Sequence, residues 1–279
     1  MMPTTIDKKE VIARLHQLPS LPPIIQEVIA SFNDTDLDSA SLAHKIEQDQ
    51  GLSARVLRMA NSTFYGLPRK VGSIQNAVVV LGFDTVRSLA LSAGIIHIFP
   101  PSPGSLFDRQ AYFQRCFRVA AISEALAKNF RQNSQMAFIA GLFYDFGQLV
   151  LDLCIPERFS ALLEHHAVSD LLLLDTERID LGFDHAEIGA EVIRLWNFPQ
   201  EIEQVVRYWH KPEQHKAFDP LVCLVYMAAL LESGANGKDL IARLPETCRS
   251  HMQITWERME ACLPQADQLD ATADLVFAN

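Results

Sequence analysis

The stretch GLFYDFGQLVLDL, Gly141–Leu153, is an apolar, helix-like run with a carboxylate near its middle. Phe143, Tyr144, Phe146 and Leu149 surround Asp145. A charge in such a setting is costly unless a partner answers it. Either the stretch served chemistry, or a group elsewhere in the chain compensates the charge.

Working outward, nearly every segment reads as helix. In GLSARVLRMANS, Leu52, Val56, Met59 and Ala60 follow the i, i+4, i+7, i+8 stripe, and Val86, Leu89, Ala90 and Ala93 do the same in FDTVRSLALSAGI. Asp184 and Glu187 form a capping-box-like pair ahead of Ile188, Val192, Leu195 and Trp196. NFPQEI ends that helix and starts the next, with Pro199 near its first turn. NAVVVLG resembles a short strand, but it lacks a hairpin partner, and Ile74, Val78 and Leu81 fit a helical face equally well. FPPSPGSLFD, 99–108, leaves no room for helix and separates two helical halves. Softer boundaries fall at 210–220 and 232–239. No low-complexity segment and no long heptad run is present.

The 279 residues are 49% hydrophobic and 21% charged, enough to fill one large core or two modest ones. The net charge of −10 weighs against non-specific nucleic-acid binding, which needs a dense positive surface. The basic spot of Arg55, Arg58, Arg69 and Lys70 beside Phe64 and Tyr65 reads either as a nucleotide or RNA site or as a turn with solvated charges. Cys116, Cys154, Cys223, Cys248 and Cys262 form no Cys-x-x-Cys pair, which fits a reducing cytoplasm. The opening MMPTTIDKKEVIARL lacks the apolar core of a signal peptide. The longest uncharged apolar run, PLVCLVYMAALL, is 12 residues, against about 20 for a membrane span. These features predict a soluble cytoplasmic protein with no nucleic-acid or membrane partner.

No phosphate loop, dinucleotide fingerprint or nucleophile elbow is present, so nucleophilic catalysis has no support. Of the nine histidines, His185 opens a capped helix and His210 follows Trp209. With Asp145 they are either a mixed His/carboxylate metal set or satisfied structural histidines. His165 and His166 read as surface residues, and His16, His44, His97, His215 and His251 have no suggestive company.

LPSLPP (18–23), IEQDQGLSARVLRMANSTFYG (46–66) and SIQNAVVVLGFDTVRSLAL (73–91) closely resemble the N-terminal half of HDOD domains. GLFYDFGQLVL (141–151), ERIDLGFDHAEIGAEVIRLWNFPQEI (177–202) and VVRYWHKP (205–212) resemble the C-terminal half, in the correct order. The resemblance implies an all-helical relative of the HD metal-dependent phosphohydrolases, found in bacterial signalling proteins and usually lacking a complete catalytic metal set. It implies an all-α fold: an N-terminal helical bundle over 1–98, a Pro-rich connection over 99–108, and an HD-like helical subdomain over 109–230 on which the bundle packs. A C-terminal helical extension follows over 231–279.

By the same resemblance, the first metal-binding His falls on Arg115 and the His-Asp doublet on Tyr144–Asp145. The basic residue that often follows the doublet falls on Gln148, and the closing Asp falls near Ala229. His185 and His210 match later histidines of some HD subfamilies. Arg cannot ligate a cation and repels one, and three potential ligands at most remain. The expectation is therefore no metal or other cofactor and no catalysis, with the protein acting as a regulatory or scaffold module on unidentified signalling proteins. The alternatives are a metal-dependent phosphohydrolase acting on nucleotides or cyclic dinucleotides, and a non-catalytic small-ligand sensor. With no receiver, kinase or cyclase segment in the sequence, input is expected from another chain. Two local expectations follow. Arg115 replaces the ion as partner of Asp145, with His185 or His210 as the other possible partner. Leu18 and Leu21 pack inside, while Asn61 and Tyr65 use their polar ends to hold the turn before Gly66.

Overall fold

Short polar side chains write the helix starts. Asp49 accepts from Leu52 N (2.9 Å), Ser73 from Asn76 N (3.1 Å), Asp108 from Ala111 N (2.9 Å), Asn133 from Met136 N (3.0 Å) and Asp184 from Glu187 N (2.8 Å). Each satisfies one of the amide groups that a helix leaves orphaned at its first turn. A computed structural model of the chain describes residues 8–15, 18–33, 38–96, 98–99, 102, 104–165 and 170–277.

Among the described residues every regular element is a helix. The first six are α1 Lys8–Leu15, α2 Pro23–Ala30, α3 Ser39–Gln48, α4 Gln50–Ala60, α5 Ile74–Leu81 and α6 Phe83–Ile96. After the Pro-rich connection come α7 Arg109–Asn129, α8 Ser134–Phe143, α9 Phe146–Cys154, α10 Pro156–His165, α11 Asp170–Leu181, α12 His185–Leu195 and α13 Gln200–Tyr208. A 3-10 turn, Pro212–Gln214, precedes α14 Pro220–Glu232, α15 Gly237–Arg243, α16 Glu246–Met252, α17 Trp256–Glu260 and α18 Ala266–Phe277.

The fold is all-α, as expected. The predicted stripes are the buried ones: Leu52, Val56, Met59 and Ala60 on α4, and Val86, Leu89, Ala90 and Ala93 on α6. NAVVVLG is helical, with Ile74 and Ala77 inward, and Val79 and Val80 exposed. Leu21 is buried, and Leu18 packs half-buried against the core. Asn61 holds its turn from both ends of its amide: Nδ2 donates to Leu57 O (2.8 Å) and Val71 O (2.9 Å), and Oδ1 accepts from Val71 N (2.8 Å). Tyr65 contributes its ring, edge-on to Phe64 at 5.0 Å. Arg55 of the basic spot donates to Ala93 O (3.1 Å), while Arg58, Arg69 and Lys70 are exposed.

The opening run is not one continuous helix, because it breaks at Tyr144–Asp145 between α8 and α9. Ser134–Cys154 as a whole is long and apolar enough by composition to cross a membrane, with Asp145 and Asp152 interrupting its uncharged runs, and it is almost entirely buried inside the fold. The bundle helices α2–α6 pack on one another, α6 meets α8, and α7, α8, α9, α12, α13 and α14 pack around the Asp145 region. The chain ends cross between the halves. α1 packs on α9, with Arg14 Nη1 donating to Cys154 O (2.7 Å). α18 packs on α7 and α4, where Thr272 Oγ1 accepts from Phe64 N (3.2 Å). Of the connection, Pro100, Pro101 and Pro103 lie outside the described residues, as do His16, His97, His166 and the His165 side chain.

Candidate functional site

Two glycines set the distance between the helices that build the site. A Cβ on Gly147, in α9, would lie 1.7 Å from the carbonyl oxygen of His185, the first residue of α12. A Cβ on Gly189 would lie 2.7 Å from Gly147 N. With no Cβ on either side, α9 and α12 approach backbone to backbone, and the start of α12 lies directly against the break that carries Asp145.

Asp145 is fully buried in that break. Its backbone (φ −112°, ψ 21°) leaves the helical region, and its carboxylate does not cap α9. The two oxygens face different groups. Oδ2 accepts from Arg115 Nη2 (2.8 Å) and Gln148 Nε2 (2.7 Å), and the same Nη2 reaches Gln148 Oε1 (3.3 Å). Oδ1 lies 3.0 Å from His185 Nε2, within ion-pair reach of the protonated ring. Both expected partners thus meet the carboxylate, one per oxygen. Arg115 comes from α7 and keeps about a quarter of its side chain exposed, so the ion pair is buried only on the carboxylate side.

His185 is held from behind. Glu177, buried on α11, accepts through Oε2 from both the His185 backbone N–H (2.8 Å) and Nδ1 (2.8 Å). Nδ1 therefore carries a hydrogen, and Nε2 turns toward His210 Nε2 at 3.1 Å. Burial opposes charge on His185, but the Glu177 and Asp145 carboxylates outweigh it and hold the ring well above its ordinary pKa. Burial and then the neighbouring His185 push His210 well below its own. His210 follows α13, its ring against Trp209, and its Nδ1 has no hydrogen-bond partner.

The remaining predicted positions are Tyr144 and Ala229. Tyr144 is buried with its ring edge-on to Trp209 at 4.5 Å. Ala229, on α14, offers no donor atom, and one turn on Glu232 accepts from Arg118 Nη2 (2.8 Å) instead. Glu177 escaped sequence reading. Its only signal is a position five residues before Gly182, where the chain turns so that the end of α11 faces the start of α12. The buried pair of Asp152 and Arg109 (Nε–Oδ2 3.0 Å) was missed too; it pins the Pro-rich connection to α9, with Ser102 Oγ donating to Asp152 Oδ2 (3.1 Å). The lesser histidines lie elsewhere: His44 bonds Gln48, His215 bonds Gln204, and His251 stacks on Phe218.

Asp145, His185 and His210 form the one group of three such side chains among the described residues whose ligand atoms lie within 4.8 Å of one another. HD relatives imply a metal here, and the fit divides. Arg115, Tyr144 and Ala229 cannot supply the rest of an HD-type ligand set. Asp145, His185 and His210 are left as the donors that converge. His185 Nε2 lies 3.0 Å from Asp145 Oδ1 and 3.1 Å from His210 Nε2, and the three atoms lie within 4.8 Å of one another, whereas two ligands about 2.1 Å from one ion lie at most about 4.2 Å apart. Glu177 on Nδ1 is the outer carboxylate that metal-bound imidazoles use.

A family model described as HDOD domain matches residues 18–212. The fold is similar to that of a Shewanella amazonensis protein named provisionally as a phosphohydrolase, at 25% identity and TM-score 0.79, covering 96% of this chain and 98% of that one. An HDOD domain protein of unknown function from Geobacter sulfurreducens shares the fold at 22% identity and TM-score 0.81, covering 97% and 98%. A Vibrio cholerae protein named cyclic di-GMP phosphodiesterase CdgJ is 21% identical over 226 residues, which cover 71% of this chain and 50% of the Vibrio protein. The chain spans about half the length of the curated relatives it matches.

Proposed function

The chain belongs to the HDOD domain family, and from that premise we propose that it is a non-catalytic regulatory or scaffold module of bacterial signal transduction, working in the cytoplasm through protein contacts. Arg115, Tyr144, Asp145, Gln148, His185, His210 and Ala229 are, on this reading, the descendants of an HD catalytic site. The observation that carries it is the Arg115 guanidinium 2.8 Å from Asp145 Oδ2, with Gln148 Nε2 on the same oxygen. In a catalytic HD centre that carboxylate faces metal. Here a fixed cation and an amide occupy one of its two oxygens, and a guanidinium neither activates a water nor polarises phosphate as a Lewis acid does.

A second reading is metal-dependent hydrolysis of a cyclic dinucleotide. It is favoured by the convergence of Asp145, His185 and His210 and by the name of the Vibrio relative. The discriminating experiment incubates the purified protein with Mn2+ and cyclic di-GMP and follows the linear product, alongside a generic phosphodiester. The expected result is no turnover above a metal-only blank. Turnover that disappears in Asp145→Ala would overturn the non-catalytic reading. Affinity capture from the native host supplies the partner.

A further inference from the structure

The chain from Phe218 to Tyr226, entering α14, meets the chain from Arg243 to His251, leaving α15 and running through α16, in the opposite direction. The His251 ring stacks on Phe218 at 4.4 Å, and Tyr226 Oη donates to Arg243 O (3.3 Å). Cys223 and Cys248 lie between those two contacts, one on each side. Both are buried, and their thiols hydrogen-bond to each other. The other contacts of cysteine sulfurs are of a different kind: Cys116 meets the Tyr112 hydroxyl, and Cys262 Sγ donates to Met259 O (3.0 Å). The hydrogen bond makes the paired sulfurs unequal. The Cys223 thiol pulls the Cys248 pKa down, against the opposing effect of burial, whereas burial and then the same contact hold Cys223 well above its ordinary value. Cys248 is therefore the sulfur that ionises first.

We propose that Cys223 and Cys248 are a redox modification site, joined reversibly as a disulfide when the protein meets hydrogen peroxide. α16 is seven residues long, and its Glu246, Thr247, Ser250 and His251 are exposed, so Cys248 lies one helix away from solvent. Local opening of so short an element admits peroxide. The Cys248 thiolate attacks one peroxide oxygen: an S–O bond forms, the O–O bond breaks, and hydroxide leaves and takes up a proton as water. The Cys223 sulfur then attacks Cys248 Sγ: an S–S bond forms, the S–O bond breaks, and hydroxide leaves with the Cys223 proton as a second water. The two thiols together lose two hydrogens and two electrons, and one peroxide becomes two waters. A dithiol reductant reverses the bond. In the cytoplasm proposed above, such bonds are transient and redox-sensing rather than structural. The bond ties α16 to α14, which packs on α7 and α8 beside the Asp145 region, and so fixes the C-terminal extension onto the HD-like part. The inference does not depend on the non-catalytic reading.

The test uses the full chain, reduced, desalted, treated with a small excess of hydrogen peroxide and quenched with catalase. It is then denatured in N-ethylmaleimide for intact mass and peptide mapping. The expected result is that two of the five cysteines escape alkylation, that one cross-linked peptide joins Cys223 to Cys248 within a single chain, and that dithiothreitol returns every thiol. The oxidised form should melt above the reduced one, because the cross-link restricts the unfolded chain. Cys248→Ser should leave Cys223 open to alkylation and abolish the rise in Tm. Full alkylation after peroxide overturns the proposal, as do cross-links through other cysteines or between chains, and sulfinic acid at Cys248 without a disulfide. A Cys223–Cys248 bond that forms with no rise in Tm also overturns it, since it would not be closing on the native contact. If Cys248→Ser does not fold, the mass map and Tm of the wild-type protein decide alone.

Discussion

Removing the Arg115 side chain leaves a buried carboxylate facing Gln148 and a histidine pair, and removing Asp145 leaves a guanidinium that still has water on one side. Breaking a fully buried pair costs about 3–5 kcal/mol. The quarter exposure of Arg115 lowers the expectation to about 2–3 kcal/mol for Arg115→Ala and for Asp145→Ala in metal-free protein. The double variant should lose less than the sum, with a coupling of about 1 kcal/mol or more in a denaturant double-mutant cycle; strict additivity would mean the contact carries no energy. Asn61→Ala tests a second residue. It strips Val71 N and two carbonyls of their partners and should cost about 2 kcal/mol, read as a shift in the urea midpoint at constant slope. The Arg115–Asp145 pair was legible in the sequence because the resemblance places a cation where the carboxylate needs one. Glu177 was not legible, because no periodicity marks a residue whose role is set by where the next helix begins.

At the scale of elements, the Gly147–Gly189 crossing is the most exposed to test. Gly147→Ala drives a methyl into the His185 carbonyl, a rigid backbone atom that a rotamer change cannot clear. Overpacking costs about 1–3 kcal/mol where neighbours give way; here α12 itself must move, so the expected loss is at the upper end. Unchanged stability would show that the two helices are less tightly apposed than their backbones imply. Helix identities were readable in advance from stripes and caps, as at α4, α6 and α12. The break at Tyr144–Asp145 was not, because apolar residues on both sides continue the pattern through it.

For the whole molecule, the buried apolar residues form one cluster from Val11 to Ala273. We propose the divisions at 99–108 and 230–231 as boundaries in the sequence rather than in folding, because α1 reaches α9 and α18 reaches α4 across them. Urea unfolding should therefore give one transition, coincident by far-UV circular dichroism and by fluorescence of Trp196, Trp209 and Trp256, which all lie in the C-terminal half. Separate midpoints would mean that the bundle and the HD-like part unfold independently. Cleaving α18 should lower the midpoint for the bundle as well, through loss of the Thr272 contact to Phe64.

By itself the sequence determined the all-α class, the helix starts, the stripes that turn inward and the family. Each of these depends on residues within a few positions of one another, where side-chain chemistry and helical period act directly. Tertiary structure alone decided that Arg115 and His185 share Asp145 one oxygen each, that Glu177 stands behind His185, and that His210 meets the far side of the His185 ring. Those groups lie on five segments and meet only because glycines let α9 and α12 touch backbone to backbone. Their separations are set by packing, and packing leaves no period in the chain.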